Sequence, residues 1–190
     1  MTDVRVGEDD VARCAWVGDD AEYRRYHDEE WGIPLHGDRP LFEKMSLEGF
    51  QAGLSWITIL RKRPHFREVF AGFEPAAIAA FDETDVERLM QDAGIIRNRA
   101  KIEATISNAR VMLDLQAGEL DAFLWGFAPA SASPRPRTFS DVPATTPESG
   151  AMSKALRKRG FRFVGPTTMY ALMQSAGMVD DHVVGCWRAH

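Results

Sequence analysis

Nearly every apolar stretch of this chain repeats with a period near 3.6 residues, and no stretch alternates with a period of two. That pattern predicts an all-α fold. "PLFEKMSLEGFQAGLSWITILRKR" (40–63) is apolar at Leu41, Phe42, Met45, Phe50, Leu54, Ile57 and Leu60, so it reads as two helices, or one broken near Gly49 or Gly53. "HFREVFAGF" reads as a short helix ending at Gly72. "TDVERLM" offers Thr84 and Glu87 as a capping box. "AKIEATISNARVML" places Ile102, Ile106, Ala109 and Leu113 on one face, and "GELDAFLWGF" reads as another short helix. "GAMSKALRKRG" and "TTMYALMQSAG" stop at Gly160 and Gly177. The one long irregular stretch, 128–150, reads as a surface connection within a single domain spanning 1–190, and no internal repeat is present.

One unit is distinctive. "TDVERLMQDAGIIRNRAKIEATISNAR" is a helix, a tight turn around Gly94, and a second helix with an arginine-rich start. Amides at such a turn and at a helix N-terminus can bind a phosphate, and Arg97, Arg99 and Lys101 would add charge. An ordinary helical corner, its isoleucines filling the core, accounts for the spacing equally well.

At 190 residues, 45% hydrophobic and 27% charged, the chain has enough apolar residues for one core. The first 11 residues read as a flexible acidic extension, neither a signal nor a transit peptide. No apolar run approaches the roughly 20 residues of a membrane helix, so no membrane is expected and the protein reads as cytoplasmic. The net charge of −5 argues against a general nucleic-acid binder. Yet basic residues cluster in "RKRPHFR" (61–67), "RNRAK" (97–101) and "RKRGFR" (157–162), which suggests a local anion-binding face.

Two cysteines make no disulfide framework. Cys186 follows His182 by four residues, one helical turn or a single loop turn, and Cys14 and His27 supply two more soft ligands from the opposite end. Together they are a complete tetrahedral zinc set that would tie the N- and C-terminal segments. Four protein ligands would leave no position for water, making one such zinc structural. The spacings alone also fit buried cysteines and hydrogen-bonded core histidines.

"RCAWV", "YHDEEWG", "LEGFQAGLSWITIL", "DAGIIRNRAKI", "SKALRKRGFRFVG" and "DHVVGC" together resemble the 3-methyladenine DNA glycosylase I family, over about residues 12–187. The resemblance implies a helix-hairpin-helix DNA glycosylase fold, with the helix-hairpin-helix at 84 to about 112. It implies excision of 3-methyladenine from alkylated double-stranded DNA by hydrolysis of the N-glycosidic bond, acting as a monomer. It assigns zinc to Cys14, His27, His182 and Cys186, and the base pocket to Trp16, Tyr23, Tyr26, Trp31, Glu48 and Trp56, with Glu48 as the catalytic-site carboxylate. Gly53 and Leu54 would fill the gap left by the flipped nucleotide, and Gly94, Arg97, Arg99 and Lys101 would meet DNA.

The chemistry suits those assignments. A base must leave the stack before an enzyme can work on it. A 3-methylated adenine is cationic, and aromatic faces attract a cation by ~0.5–2 kcal/mol per contact. Glu48 could accept from its exocyclic amine. Such a base leaves readily, so no general acid is required. Relatives that attack less activated bases use an aspartate after the hairpin; Asp114 and Asp121 lie nearby, and neither is assigned that role. Phe50 stands where the family often has a polar residue, which could alter the pocket mouth. Two other classes fit parts of the pattern: a non-catalytic zinc-stabilised DNA-binding module, and a zinc hydrolase with an open coordination position.

Overall fold

The computed structural model describes residues 3–131 and 134–189. Among them are nine α-helices and one small sheet. The helices are α1 (Ala21–Glu29), α2 (Asp38–Gln51), α3 (Trp56–Val69), α4 (Pro75–Ala79), α5 (Glu83–Gln91), α6 (Arg99–Met112), α7 (Glu119–Trp125), α8 (Pro147–Lys158) and α9 (Pro166–Ser175). None is long and apolar enough to cross a membrane.

The central element is α2. Leu41, Phe42, Met45, Leu47 and Phe50 are all buried, against α3, α6, α7 and α9. Burying one such side chain contributes ~1.5–3 kcal/mol. Because the helix is covered on all sides, its polar residues Lys44, Ser46 and Glu48 are buried too. Ser46 satisfies itself by donating to Phe42 O; Lys44 and Glu48 need partners from elsewhere. Asp121 on α7 accepts from Gly37 N at 2.8 Å, so it anchors the start of α2.

The all-helical expectation misses one feature. Val4–Val6 (β1) and Ala12–Cys14 (β2) form an antiparallel pair in the register Val4↔Cys14, Arg5↔Arg13 and Val6↔Ala12. Three residues per strand are too few for alternation to be legible. The acidic segment expected to be a flexible extension is therefore ordered from Asp3 onward as a strand and turn. Arg13 ties it down, through Asp9 and through Asp28 on α1 at 2.7 Å. Trp187 N donates to Ala12 O at 2.8 Å, so the C-terminal segment joins the same clasp.

Three boundaries also differ. Segment 40–63 is indeed broken, at Ala52–Ser55, but α3 runs on through Pro64 to Val69, so "HFREV" is no separate helix. Pro64 lacks one N–H, and the buried face through Ile59, Leu60, Arg63 and Phe66 continues the helix regardless. The capping box of α5 is Asp82 with Asp85, not Thr84 with Glu87. Aspartate at both positions accepts backbone N–H groups as the Ser/Thr–Glu pair would. On α6, Ile102, Ile106 and Ala109 are buried, but Met112 completes the face and Leu113 is exposed.

Candidate active site and metal cluster

Five separate segments converge on one cavity of about 280 Å³. It is lined by Trp16, Tyr23, Tyr26, Trp31, Glu48 and Trp56, with Gln51, Ala171, Gln174 and Ser175. All six residues expected around a base thus line the same cavity. Trp16 sits in the turn after β2, within Ala15–Val17. Asp20 caps α1 by accepting from Glu22 N and Tyr23 N, which fixes Tyr23 and Tyr26 one turn apart on that helix. Trp31 follows α1 directly, its amide bonded to Tyr26 O. Trp56 opens α3, whose entry Tyr23 holds by accepting from Ile57 N at 2.9 Å.

The rings meet mostly edge to face. Trp16 lies 5.2 Å from Tyr23 at 82° and 5.3 Å from Trp31 at 77°, while Tyr26 and Trp56 are 5.6 Å apart and tilted. None of these three pairs is stacked face to face. Trp56 Nε1 is buried with no hydrogen-bond partner among the described residues. A buried indole N–H is costly to leave unmade and is ready for a ligand acceptor.

Glu48 is only 4% exposed. Its Oε1 accepts from Ser175 Oγ at 2.9 Å. Burial raises its carboxyl to about 7, against the opposing charge of Lys44 and the Ser175 hydrogen bond. Burial likewise pushes the Tyr26 hydroxyl well above its ordinary range.

Sequence reasoning missed Ser175, Gln174 and Lys44. Lys44 had a signal, since it lies one turn before Glu48 on the same helix. Ser175 and Gln174 had none, because only folding brings α9 to α2. Gln174 is oriented by donating to Asp181 Oδ2 at 2.8 Å. Phe50 does not alter the cavity mouth: it is buried against Phe66 and Phe70 in the core.

Behind the aromatic wall lies a second cluster. Donor atoms of Cys14, His27 and Cys186 lie within 4.8 Å of one another, and Cys186 Sγ is 3.4 Å from His27 Nε2. The His182 ring is 5.0 Å from the His27 ring, and its Nε2 is buried with no partner among the described residues. Residues 182–186 form a turn, not a helix. Each histidine has its other nitrogen engaged by a carboxylate: His27 Nδ1 with Asp28 at 2.8 Å, His182 Nδ1 with Asp180 at 2.7 Å. Asp28 is itself held by Arg13 and Trp187. This is how ligating imidazoles are oriented, and the orphaned Nε2 fits a fourth ligand. The neighbouring Cys14 thiol and His27 draw Cys186 down to about 4, and Cys14 is pushed up correspondingly. Trp31 packs on His182 at 4.5 Å and Trp16 on His27 at 5.5 Å. The cluster therefore backs two walls of the cavity. Gly32 has φ +75°, and a Cβ there would come 2.7 Å from His182 Cε1, so only glycine admits this approach.

The residues expected to meet DNA divide into two groups. Leu54, 40% exposed, projects from the α2–α3 break, where Gly53 adopts φ +85°. Arg97 is exposed and makes no hydrogen bond or ion pair among the described residues. Arg99 instead pairs with Glu83, Glu87 and Glu103. Lys101 is 8% exposed, and its Nζ donates to Phe50 O and Ala52 O at 2.8 Å, closing the end of α2. Its charge is used inside the protein. Gly94 N is likewise occupied, by Asp92 Oδ1 at 2.7 Å. The basic runs also form no uniform anion-binding face: Arg61, Arg63 and Arg67 pair with Asp20, Glu30 and Glu43, and Arg159 with Glu119. Clustering in sequence did not show which arginines had acidic neighbours in space.

A family model described as methyladenine glycosylase matches residues 16–189. The chain is 52% identical over 179 residues to DNA-3-methyladenine glycosylase 1 of Escherichia coli (strain K12), covering 93% of this chain and 96% of that protein. It is 49% identical to DNA-3-methyladenine glycosylase of Haemophilus influenzae, covering 93% and 97%. Among solved structures, a crystal structure of 3-methyladenine DNA glycosylase I superposes with a TM-score of 0.88 at 48% identity, over 93% of this chain and 98% of that one. A variant of 3-methyladenine DNA glycosylase I in complex with 3-methyladenine superposes with a TM-score of 0.85 at 34% identity, over 92% and 95%.

Proposed function

The chain belongs to the methyladenine glycosylase family, and on that premise we propose that its aromatic cavity takes a flipped 3-methyladenine from alkylated DNA. It is a base-excision glycosylase that hydrolyses the N-glycosidic bond. One observation supports the site assignment above all: a single cavity lined by five aromatic side chains and one buried carboxylate.

The cationic base enters among the faces of Trp16, Tyr23, Tyr26, Trp31 and Trp56. Removed from water, it is attracted by their ring quadrupoles. Glu48, ionised, accepts from its exocyclic amine, and the unpartnered Trp56 Nε1 donates to an acceptor on the base. Ser175 fixes the rotamer of Glu48, so little ordering remains to be done on binding. The glycosidic bond breaks toward the ring, and the base departs neutral. Water then captures the electron-poor sugar. Since the leaving group is already activated, discrimination by binding is the main task of these residues. Leu54 fills the vacated stack, and Arg97 contacts backbone phosphate.

The cysteine–histidine cluster fits zinc. Cys14, His27, His182 and Cys186 would hold it, with Asp28 and Asp180 orienting the imidazoles. Bound there, zinc would supply a cross-link between the N- and C-terminal segments. Its consequence for the reaction is indirect, through Trp16 and Trp31.

Release of free 3-methyladenine from methylated duplex DNA, followed by chromatography of the ethanol-soluble fraction, tests the function. Time-dependent release is expected. DNA binding without release would overturn it in favour of a non-catalytic DNA-binding module.

A further inference from the structure

Lys44 has no place in the mechanism so far. It precedes Glu48 by one turn of α2 and is 7% exposed. Its Nζ stands 5.1 Å from the centroid of the Tyr26 ring and 5.6 Å from that of Trp56. Lys44 does not line the aromatic cavity. It lines a second one, of about 190 Å³, with Glu30, Glu43, Arg63 and Arg67, and Ser175 borders both. The ammonium is therefore behind the two rings, on the side away from the base.

The other charges in that second cavity are matched. Glu30 accepts a two-bond fork from Arg63 at 2.6 and 2.8 Å, and Glu43 pairs with Arg67 at 2.8 Å. Glu48 has only the neutral Ser175 hydroxyl from α9, and Tyr26 from α1 faces it uncharged. Lys44 and Glu48 are thus two buried charges of opposite sign, one turn apart on α2, and neither forms an ion pair within contact distance among the described residues.

We propose that Lys44 is the counter-charge that keeps Glu48 ionised in the empty cavity, and so sets the pH below which the site stops taking a cationic base. A lone buried carboxylate takes up a proton rather than stay charged. A protonated Glu48 would lose the negative charge that favours methylated over ordinary adenine. The two groups oppose each other's loss of charge: burial draws Lys44 down while Glu48 and Glu30 hold it up, and burial raises Glu48 while Lys44 holds it down. The ammonium also has a cost. It occupies one face of Tyr26 and Trp56 and repels a cationic base through them. Lys44 therefore helps at neutral and lower pH and hinders above the midpoint of Glu48.

The inference rests on Glu48 reading the base, and the experiment separates the two. Lys44→Met keeps the length without charge, Lys44→Arg keeps the charge, and Lys44→Gln is a second neutral variant if the methionine protein does not fold. The protonation of Glu48 is followed in DNA-free protein by infrared difference spectra against Glu48→Gln. Single-turnover excision from methylated DNA is followed over about pH 5.5–9. In Lys44→Met both midpoints are expected to rise by about one pH unit, a roughly tenfold change in proton affinity, while Lys44→Arg stays near wild type. At the alkaline end Lys44→Met should equal or exceed wild type. A uniformly lower rate with unmoved midpoints would overturn the proposal and leave Lys44 a packing residue. A shift in the infrared midpoint alone would confine Lys44 to the charge state of Glu48 and overturn its control of base uptake. A wild type that shows the carboxyl midpoint but no excision would instead refute the glycosylase reading.

Discussion

Ser175 at the end of α9 donates its hydroxyl to Glu48 Oε1 on α2 at 2.9 Å, and this bond fixes the one carboxylate of the aromatic cavity. Glu48→Gln keeps the size and one acceptor but removes the charge. Affinity for cationic methylated base should drop by roughly 10–100-fold, since a hydrogen bond to a charged group contributes ~1.5–3 kcal/mol. Excision should fall with it without vanishing, because the alkylated base remains a good leaving group. Binding near wild type with collapsed single-turnover cleavage would make Glu48 a general base instead.

The same carboxylate has a stability signature. Its folded value, about 7, lies above the ordinary 4.5, so the native state keeps a proton that the unfolded chain releases. Stability from this group is present below about pH 4.5 and is lost as pH rises through about 7, by an amount on the order of 3 kcal/mol. Glu48→Gln should therefore melt above wild type at pH 8 and near it at pH 5. Calorimetry at the two pH values decides; an equal gap at both would refute the buried-charge account.

Trp56→Phe keeps an aromatic face and deletes the unpartnered Nε1–H. Excision efficiency on methylated DNA should fall ~3–10-fold, the worth of one ordinary hydrogen bond. No change in kcat/KM would mean that the indole nitrogen meets no ligand.

Metal analysis of purified protein should find about one zinc per chain. Cys186→Ser should lose it and lower the melting temperature, because the variant lacks one of the two thiolate ligands and metal binding is coupled to folding. Full zinc content in that variant would remove Cys186 from the site.

Arg97→Ala should weaken binding to lesion-bearing and undamaged duplex about equally and flatten the salt dependence. Arg99→Ala should do less to affinity, since three glutamates already surround that guanidinium. The reverse order, read from salt titrations, would mean that Arg99 leaves its partners on the duplex.

The helical architecture was legible because a 3.6-residue apolar repeat survives in long segments such as α2 and α6. The six cavity residues were named from motifs and do share one cavity. The strand pair was illegible because it spans three residues a side. The fate of Lys101 was illegible for another reason: a lysine at a helix start looks solvated, and only the fold shows the end of α2 waiting for its ammonium. Arg99 followed the same logic, its acidic neighbours lying on α5 as well as on its own helix. Sequence order reveals charges; it does not reveal which of them are already neutralised in space.

The clasp between Cys14, His27 and Cys186 also has a consequence in time. The turn bearing Trp16 and the helix bearing Tyr23 and Tyr26 leave the ribosome first. The segment that braces them, through His182 and Cys186, is translated roughly 8–34 s later at about 5–20 residues per second. Until then the forward wall of the cavity lacks its backing. A nascent chain is thus without a finished pocket until residue 186 has emerged, and an interrupted translation product has no braced site with which to engage the genome.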